Sequence, residues 1–140
     1  MNPPIFIDTG YILALANTAD RYHERAYAAS LLARPPFITT EAVLTEIGNA
    51  FSRIRWRALG FAIINDLRAD PDIETVPVDA ALFDRAVALY GSRPDKEWGL
   101  TDCISFVVMQ EHNLAHVLTT DRHFAQAGFQ NAMLGVPTDS

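Results

Sequence analysis

Cysteine is nearly absent. A single residue, Cys103, in a chain of 140 excludes an internal disulfide and fits a reducing compartment. Long apolar runs are absent too. The longest, Tyr11 to Ala16 and Ala86 to Tyr90, fall far short of the ~20 residues that a membrane-spanning helix needs. The opening MNPPIFIDTG carries no basic segment ahead of its apolar stretch and meets Asp8 too early for a secretory leader. A cytoplasmic location without membrane association is therefore expected. Positive charge is scarce: 11 Lys and Arg face 17 Asp and Glu, a net charge of −6. That excludes a generic nucleic-acid coat, whose affinity comes from basic contacts to phosphate. The glycines are scattered and form neither G-x-G-x-x-G nor a P-loop.

What remains is an ordinary globular balance, 49% hydrophobic and 20% charged. The length fits one domain, able to bury roughly two-thirds of its unfolded surface. Strands are expected at Ile5–Ile7, Phe37–Thr39, Ile73–Val78, His116–Thr119 and, at an edge, Phe129–Leu134. Between them the spacing predicts helices. Tyr11–Ala16 is one, and Asp20–Ala33 another, with Tyr22, Ala26, Ala29 and Leu32 on one face. Thr40 caps a helix to about Ile54, with Val43, Ile47, Ala50 and Ile54 on one side. Gly60–Asp70 follows, then a helix from Asp79 to Tyr90, an apolar one from Leu100 or Thr101 to His112, and Asp121–Ala127. Strands alternating with helices imply an α/β/α sandwich around a mainly parallel sheet of four to five strands.

Carboxylates mark the edge where such sheets bind ligands, the carboxyl ends of the strands. Asp8 ends the first strand and Asp121 follows the fourth. Glu46 lies nearly two turns into the helix after the second strand, and Asp102 in the first turn of the apolar helix. Each alone has a plainer reading as a turn residue, a helix cap or a solvated position. Together they would repel one another in a protein interior. Hard divalent cations relieve that repulsion, and carboxylate oxygens suit Mg²⁺ or Mn²⁺, ions that promote phosphodiester hydrolysis. Thr9 and Thr119 add hydroxyls able to fix the carboxylate rotamers or hold water.

Three segments carry a family resemblance: IFIDTGYILALAN, TEAVLTEIGNAF and LTDCISFVVMQEHNLAHVLTTDRHFAQAGF. The chain resembles a PIN-domain nuclease and, within that superfamily, the VapC-type toxins of bacterial toxin–antitoxin pairs. The resemblance runs over nearly the whole chain and implies a single PIN domain, residues 1–140, with a PIN-like three-layer fold. Its most specific block is an acidic residue opening an apolar helix, a short strand, then T-x-D-x-x-F. The resemblance implies a metal-dependent endoribonuclease whose acidic ligands are Asp8, Glu46, Asp102 and Asp121, with Thr9 and Thr119 at the accompanying hydroxyl positions. Glu41 is the nearby alternative to Glu46. It also implies an RNA substrate, a cognate antitoxin and a homodimer.

Arg53, Arg55 and Arg57, interleaved with Trp56, form the densest basic run. On a helix end they are candidates for contact with RNA phosphates, with a solvated or partner-facing surface as the alternative. Arg122 and His123 follow Asp121 and are placed to reach substrate or simply to solvate a short helix. His112 and His116 are four apart, but Asn113 stands where a zincin needs Glu, and Asn113-Leu114 should end the helix. Cys103 reads as core. The rival from another class is a non-catalytic RNA- or protein-binding module. A PIN nuclease without an antitoxin is the rival within the family.

Overall fold

A computed structural model describes residues 2–133. Leu134, where the expected edge strand ends, lies outside the described residues. Five parallel strands form one sheet: β1 (Ile5–Ile7), β2 (Phe37–Thr40), β3 (Ile73–Val76), β4 (His116–Leu118) and β5 (Gln130–Asn131), in the order β3-β2-β1-β4-β5. Helices α1 (Thr9–Ala16) and α2 (His23–Leu32) join β1 to β2, and α3 (Glu41–Ala50) and α4 (Ile54–Ala69) join β2 to β3. Helices α5 (Ala80–Ser92) and α6 (Leu100–Glu111) lead to β4, and α7 (His123–Gln126) leads to β5. The chain winds outward from β1 to β3, then returns to the other side of β1. Right-handed crossovers in opposite directions place helices on both faces of the sheet, giving the expected three layers.

Capping explains several helix starts. The Thr40 side chain accepts from the Val43 amide at 3.2 Å, and Asp79 from the Leu82 amide at 2.8 Å. Helix α6 is buried without a break from Cys103 to Met109, as expected of a helix packed on all sides. Phe106 stands edge-on to Phe124 at 4.9 Å, and Phe124 lies 6.2 Å from Phe6 of β1. All three are fully buried, each contributing roughly 1.5–3 kcal/mol of burial free energy. This aromatic column fixes α6 and α7 against the sheet.

Four expectations need correction. The helix from Thr40 does not reach Ile54 but stops at Ala50, and Ile54, 94% exposed, opens α4. At the stop the Ser52 hydroxyl donates to the carbonyls of Gly48 and Asn49, and Arg53 turns extended (φ −62°, ψ 146°) as the residue that caps α4. Helix α4 therefore begins before Gly60, and Arg53, Arg55 and Arg57 sit at its N-terminus. On α2, Ala26 and Ala29 are buried as expected, but Leu32 is exposed. The third strand ends at Val76 rather than Val78, because the Val78 amide donates to Glu41 Oε1 at 2.8 Å. Among the described residues no helix is long and apolar enough to cross a membrane.

Candidate active site

The strand order reverses across β1 and β4, which lie side by side with Ile7 opposite Leu118. Asp8 and Asp121 leave these two strands at the same end, so the topology brings them to one crevice. The Asp8 amide donates to the Leu118 carbonyl at 3.0 Å, which extends the pairing to the carboxylate itself. Gly10 keeps α1 close: a Cβ there would collide with the Thr120 side chain. Helix α6 delivers Asp102 in its first turn, where the carboxylate Oδ2 accepts from the Gly99 amide at 3.1 Å. Glu46 arrives from the middle of α3. A cavity of about 410 Å³ is lined by Asp8, Glu46, Asp102 and Asp121 together with Thr9.

Hydrogen bonds tie these groups into a chain. Thr119, fully buried, donates through Oγ1 to Asp8 Oδ2 at 2.7 Å and accepts from the Asp121 amide at 2.9 Å. Asp121 Oδ1 accepts from the His123 amide at 2.9 Å, which folds the turn back on itself. His123 Nδ1 then lies 3.0 Å from Asp102 Oδ2 and 3.2 Å from Asp121 Oδ1. Both neighbours are acceptors, so Nδ1 carries the proton and donates to them. On the far side, Thr9 donates to Glu46 Oε1 at 2.5 Å. The two threonines thus orient carboxylates.

Burial shapes the electrostatics. Asp8 is 5% exposed, and its carboxyl is pushed up to about 7, first by desolvation, against the Thr119 and Thr9 hydrogen bonds, with Asp102 and Asp121 adding repulsion. Asp102 is also raised, by desolvation and then by Asp121, against His123 and the Gly99 amide. Such a site favours a cation. Asp102, Asp121 and His123 each offer one ligand atom, all within 4.8 Å of one another. The Asp102 and Asp121 carboxylates, held by the His123 N–H and with the buried Asp8 carboxyl beside them, form an oxygen donor set that fits a hard divalent ion.

Of the residues singled out in the sequence, the structure brings together Asp8, Glu46, Asp102, Asp121, Thr9 and Thr119. Glu41 is instead exposed and bound to the Val78 amide. Arg122 is exposed beside Asp121 and precedes α7. Arg53, Arg55 and Arg57 do not line the carboxylate cavity. Arg57 lines a separate groove with Gly48, Phe51 and Phe61, and Arg55 stacks over Trp56 at 4.7 Å. Cys103 is buried, and its thiol is pushed up by desolvation and by Asp102, so it remains a core residue. His123 was legible only as a neighbour of Asp121. The turn that aims it at Asp102 depends on the Asp121 side chain, which spacing does not show.

The family model for the PIN domain matches residues 5–130. The chain belongs to the PIN domain family. Among curated proteins, the 23S rRNA-specific endonuclease VapC20 of Mycobacterium tuberculosis is similar to this PIN domain. It is 26% identical over 125 residues, which are 89% of this chain and 95% of the relative. The crystal structure of Mycobacterium tuberculosis VapC20, described as a sarcin-ricin loop cleaving toxin, matches with a TM-score of 0.84 at 25% identity. The match covers 90% of this chain and 96% of that one. FitAcB from Neisseria gonorrhoeae shares the fold, with a TM-score of 0.65 at 18% identity over 91% of this chain and 95% of that one. So does a toxin–antitoxin complex from Klebsiella pneumoniae, with a TM-score of 0.60 at 16% identity over 96% and 93%.

Proposed function

We propose that this PIN domain is a metal-dependent endoribonuclease, acting in the cytoplasm as the toxin of a toxin–antitoxin pair. The observation that carries the reading is one cavity lined by Asp8, Glu46, Asp102 and Asp121, four carboxylates delivered by four different parts of the fold. Asp8, Asp102 and Asp121 would hold Mg²⁺ or Mn²⁺, with Glu46 completing the acidic wall. A divalent ion supplies charge neutralisation at the scissile phosphate and an acidified water for its attack. The protein's own work is positional. Thr119 fixes the Asp8 rotamer, Thr9 fixes Glu46, and His123 spans Asp102 and Asp121. No side-chain nucleophile is needed. The similarity to VapC20 makes ribosomal RNA the first substrate to test, and the toxin reading adds a cognate antitoxin and a homodimer.

The test is incubation of purified protein with total RNA, with and without Mg²⁺ or Mn²⁺, followed by mapping of the cut ends. Cleavage is expected only with metal. Asp102→Asn should abolish it while the circular dichroism spectrum stays unchanged. Undiminished cleavage by that variant would remove the proposed site. Binding of RNA without metal-stimulated turnover would favour the non-catalytic module instead.

A further inference from the structure

Beside the carboxylate cavity lies a second groove, of about 800 Å³, and Gly99 and Leu100 line both. It is enclosed by the segment between α5 and α6. Within it Arg93-Pro94-Asp95-Lys96 forms a turn closed by the Lys96 amide donating to the Arg93 carbonyl at 3.1 Å. Proline at the second turn position suits that geometry. The Arg93 guanidinium is held from two sides. Nε and Nη2 donate to the two Asp95 carboxylate oxygens, each at 3.0 Å, and Cζ stands 5.1 Å from the centre of the Trp98 ring. Trp98 is itself locked: it is 6% exposed, its Nε1 donates to Gln126 Oε1 at 3.1 Å, and it meets Phe106 edge-on at 5.0 Å.

This arrangement is a stacking platform rather than a phosphate clamp. Asp95 already takes the hydrogen-bonding fork and the charge of Arg93, but leaves the guanidinium plane fixed, and planes of this kind stack on unpaired bases. Tyr90, 56% exposed, lines the same groove. Lys96, the chain's one lysine, also lines it and makes no salt bridge among the described residues. In a chain of net charge −6, this lysine, though flanked by Asp95 and by Glu97 of the same groove, is the cation on this side of the acidic cavity that is able to take a phosphate.

Resting on the ribonuclease reading, we propose that this groove is the subsite for the RNA nucleotide flanking the scissile phosphate. Its base stacks on the exposed side of the Arg93 guanidinium, which Trp98 backs, and Lys96 takes the phosphate beside it. The occupant is unpaired RNA, because a paired base cannot present its face to the platform.

Trp98 provides the reporter. The chain has two tryptophans, so Trp56→Phe leaves Trp98 alone, and Asp102→Asn prevents turnover. Titrating this protein with a single-stranded RNA octamer in Mg²⁺ should quench emission saturably. Arg93→Ala should raise the Kd about tenfold. Arg93→Lys should fail to restore it, since it returns charge without the plane. Lys96→Gln should reduce the slope of log K against log salt by about 0.7. In the active protein, Arg93→Ala and Lys96→Gln should place their loss in KM rather than kcat. Cleavage by the wild type, with Trp98 emission indifferent to RNA and KM unmoved, overturns the subsite and leaves the nuclease reading standing. Quenching without wild-type cleavage supports only RNA docking in the groove and overturns the nuclease reading together with the assignment to a scissile phosphate. Rescue by Arg93→Lys overturns the stacking role.

Discussion

Burying Asp8 has a measurable consequence. In an unfolded chain its carboxyl titrates at 3.8, and in the folded, metal-free protein at about 7. Below about pH 4 it is protonated in both states and costs nothing. As the pH rises, the unfolded carboxyl loses its proton first, while the native one keeps it until near pH 7. The native state therefore binds more protons in that window, and stability falls as pH rises. A shift of about three pH units corresponds to ~4 kcal/mol in full, of which about 3 kcal/mol is lost between pH 5 and 8. That is a large part of the 5–15 kcal/mol typical of a domain. The assay is urea unfolding in EDTA at pH 5 and pH 8, for the wild type and Asp8→Asn. Asparagine has the same shape, can accept from Thr119, and does not titrate. The wild type should lose about 3 kcal/mol more than the variant, and saturating Mg²⁺ or Mn²⁺ should erase most of that difference. Asp102, raised for the same reasons, acts in the same direction in both proteins and largely cancels. Parallel pH profiles in EDTA would refute the reasoning.

Two further outcomes follow from contacts already described. His123→Ala should weaken Mn²⁺ binding by about 10–100-fold, the usual cost of losing a group that orients metal ligands, read by calorimetry. His123→Asn, whose side-chain N–H can replace Nδ1–H, should recover most of the loss, and equal affinities for the two variants would exclude the orienting role. Phe106→Ala, which removes the centre of the aromatic column, should cost about 3–5 kcal/mol in urea unfolding. A loss under about 1 kcal/mol would mean that the column does not anchor α6.

The carboxylates were legible because sheet topology does the convergence. Once Ile5–Ile7 and His116–Leu118 are read as parallel strands, Asp8 and Asp121 share an edge whatever the helices do. Asp102 was marked by its place in the first turn of the apolar helix, where the helix dipole favours an anion, and by the family resemblance. Glu46 was preferred to Glu41 on resemblance, and the structure shows the physical difference: Glu41 is occupied by the Val78 amide, whereas Glu46 faces Thr9 across the cavity. The break between α3 and α4 was not legible. Ile54 continues the apolar spacing of α3, and the extended backbone at Arg53 that separates the two helices leaves no mark in that spacing. Leu32 shows another limit. Its spacing from Tyr22, Ala26 and Ala29 is helical, yet it is 73% exposed, because periodicity names a face without saying what lies opposite it.

Each link from Asp8 through Thr119, Asp121 and His123 to Asp102 is a hydrogen bond of 3.2 Å or less between neighbouring groups. The chain joins the end of β1, the turn after β4 and the first turn of α6, so its geometry depends on the packing of Phe106 and Phe124 behind it. Hydrogen bonds hold the carboxylates together, yet desolvation first and mutual repulsion second keep the Asp8 and Asp102 carboxyls raised. A cation is the one ligand that removes the strain without breaking the chain. The site is thus assembled before metal arrives; as pH rises the metal-free fold loses stability while metal binding, which needs the deprotonated carboxylates, strengthens and offsets that loss. A substitution that loosens the aromatic column should weaken metal binding even though it touches no carboxylate.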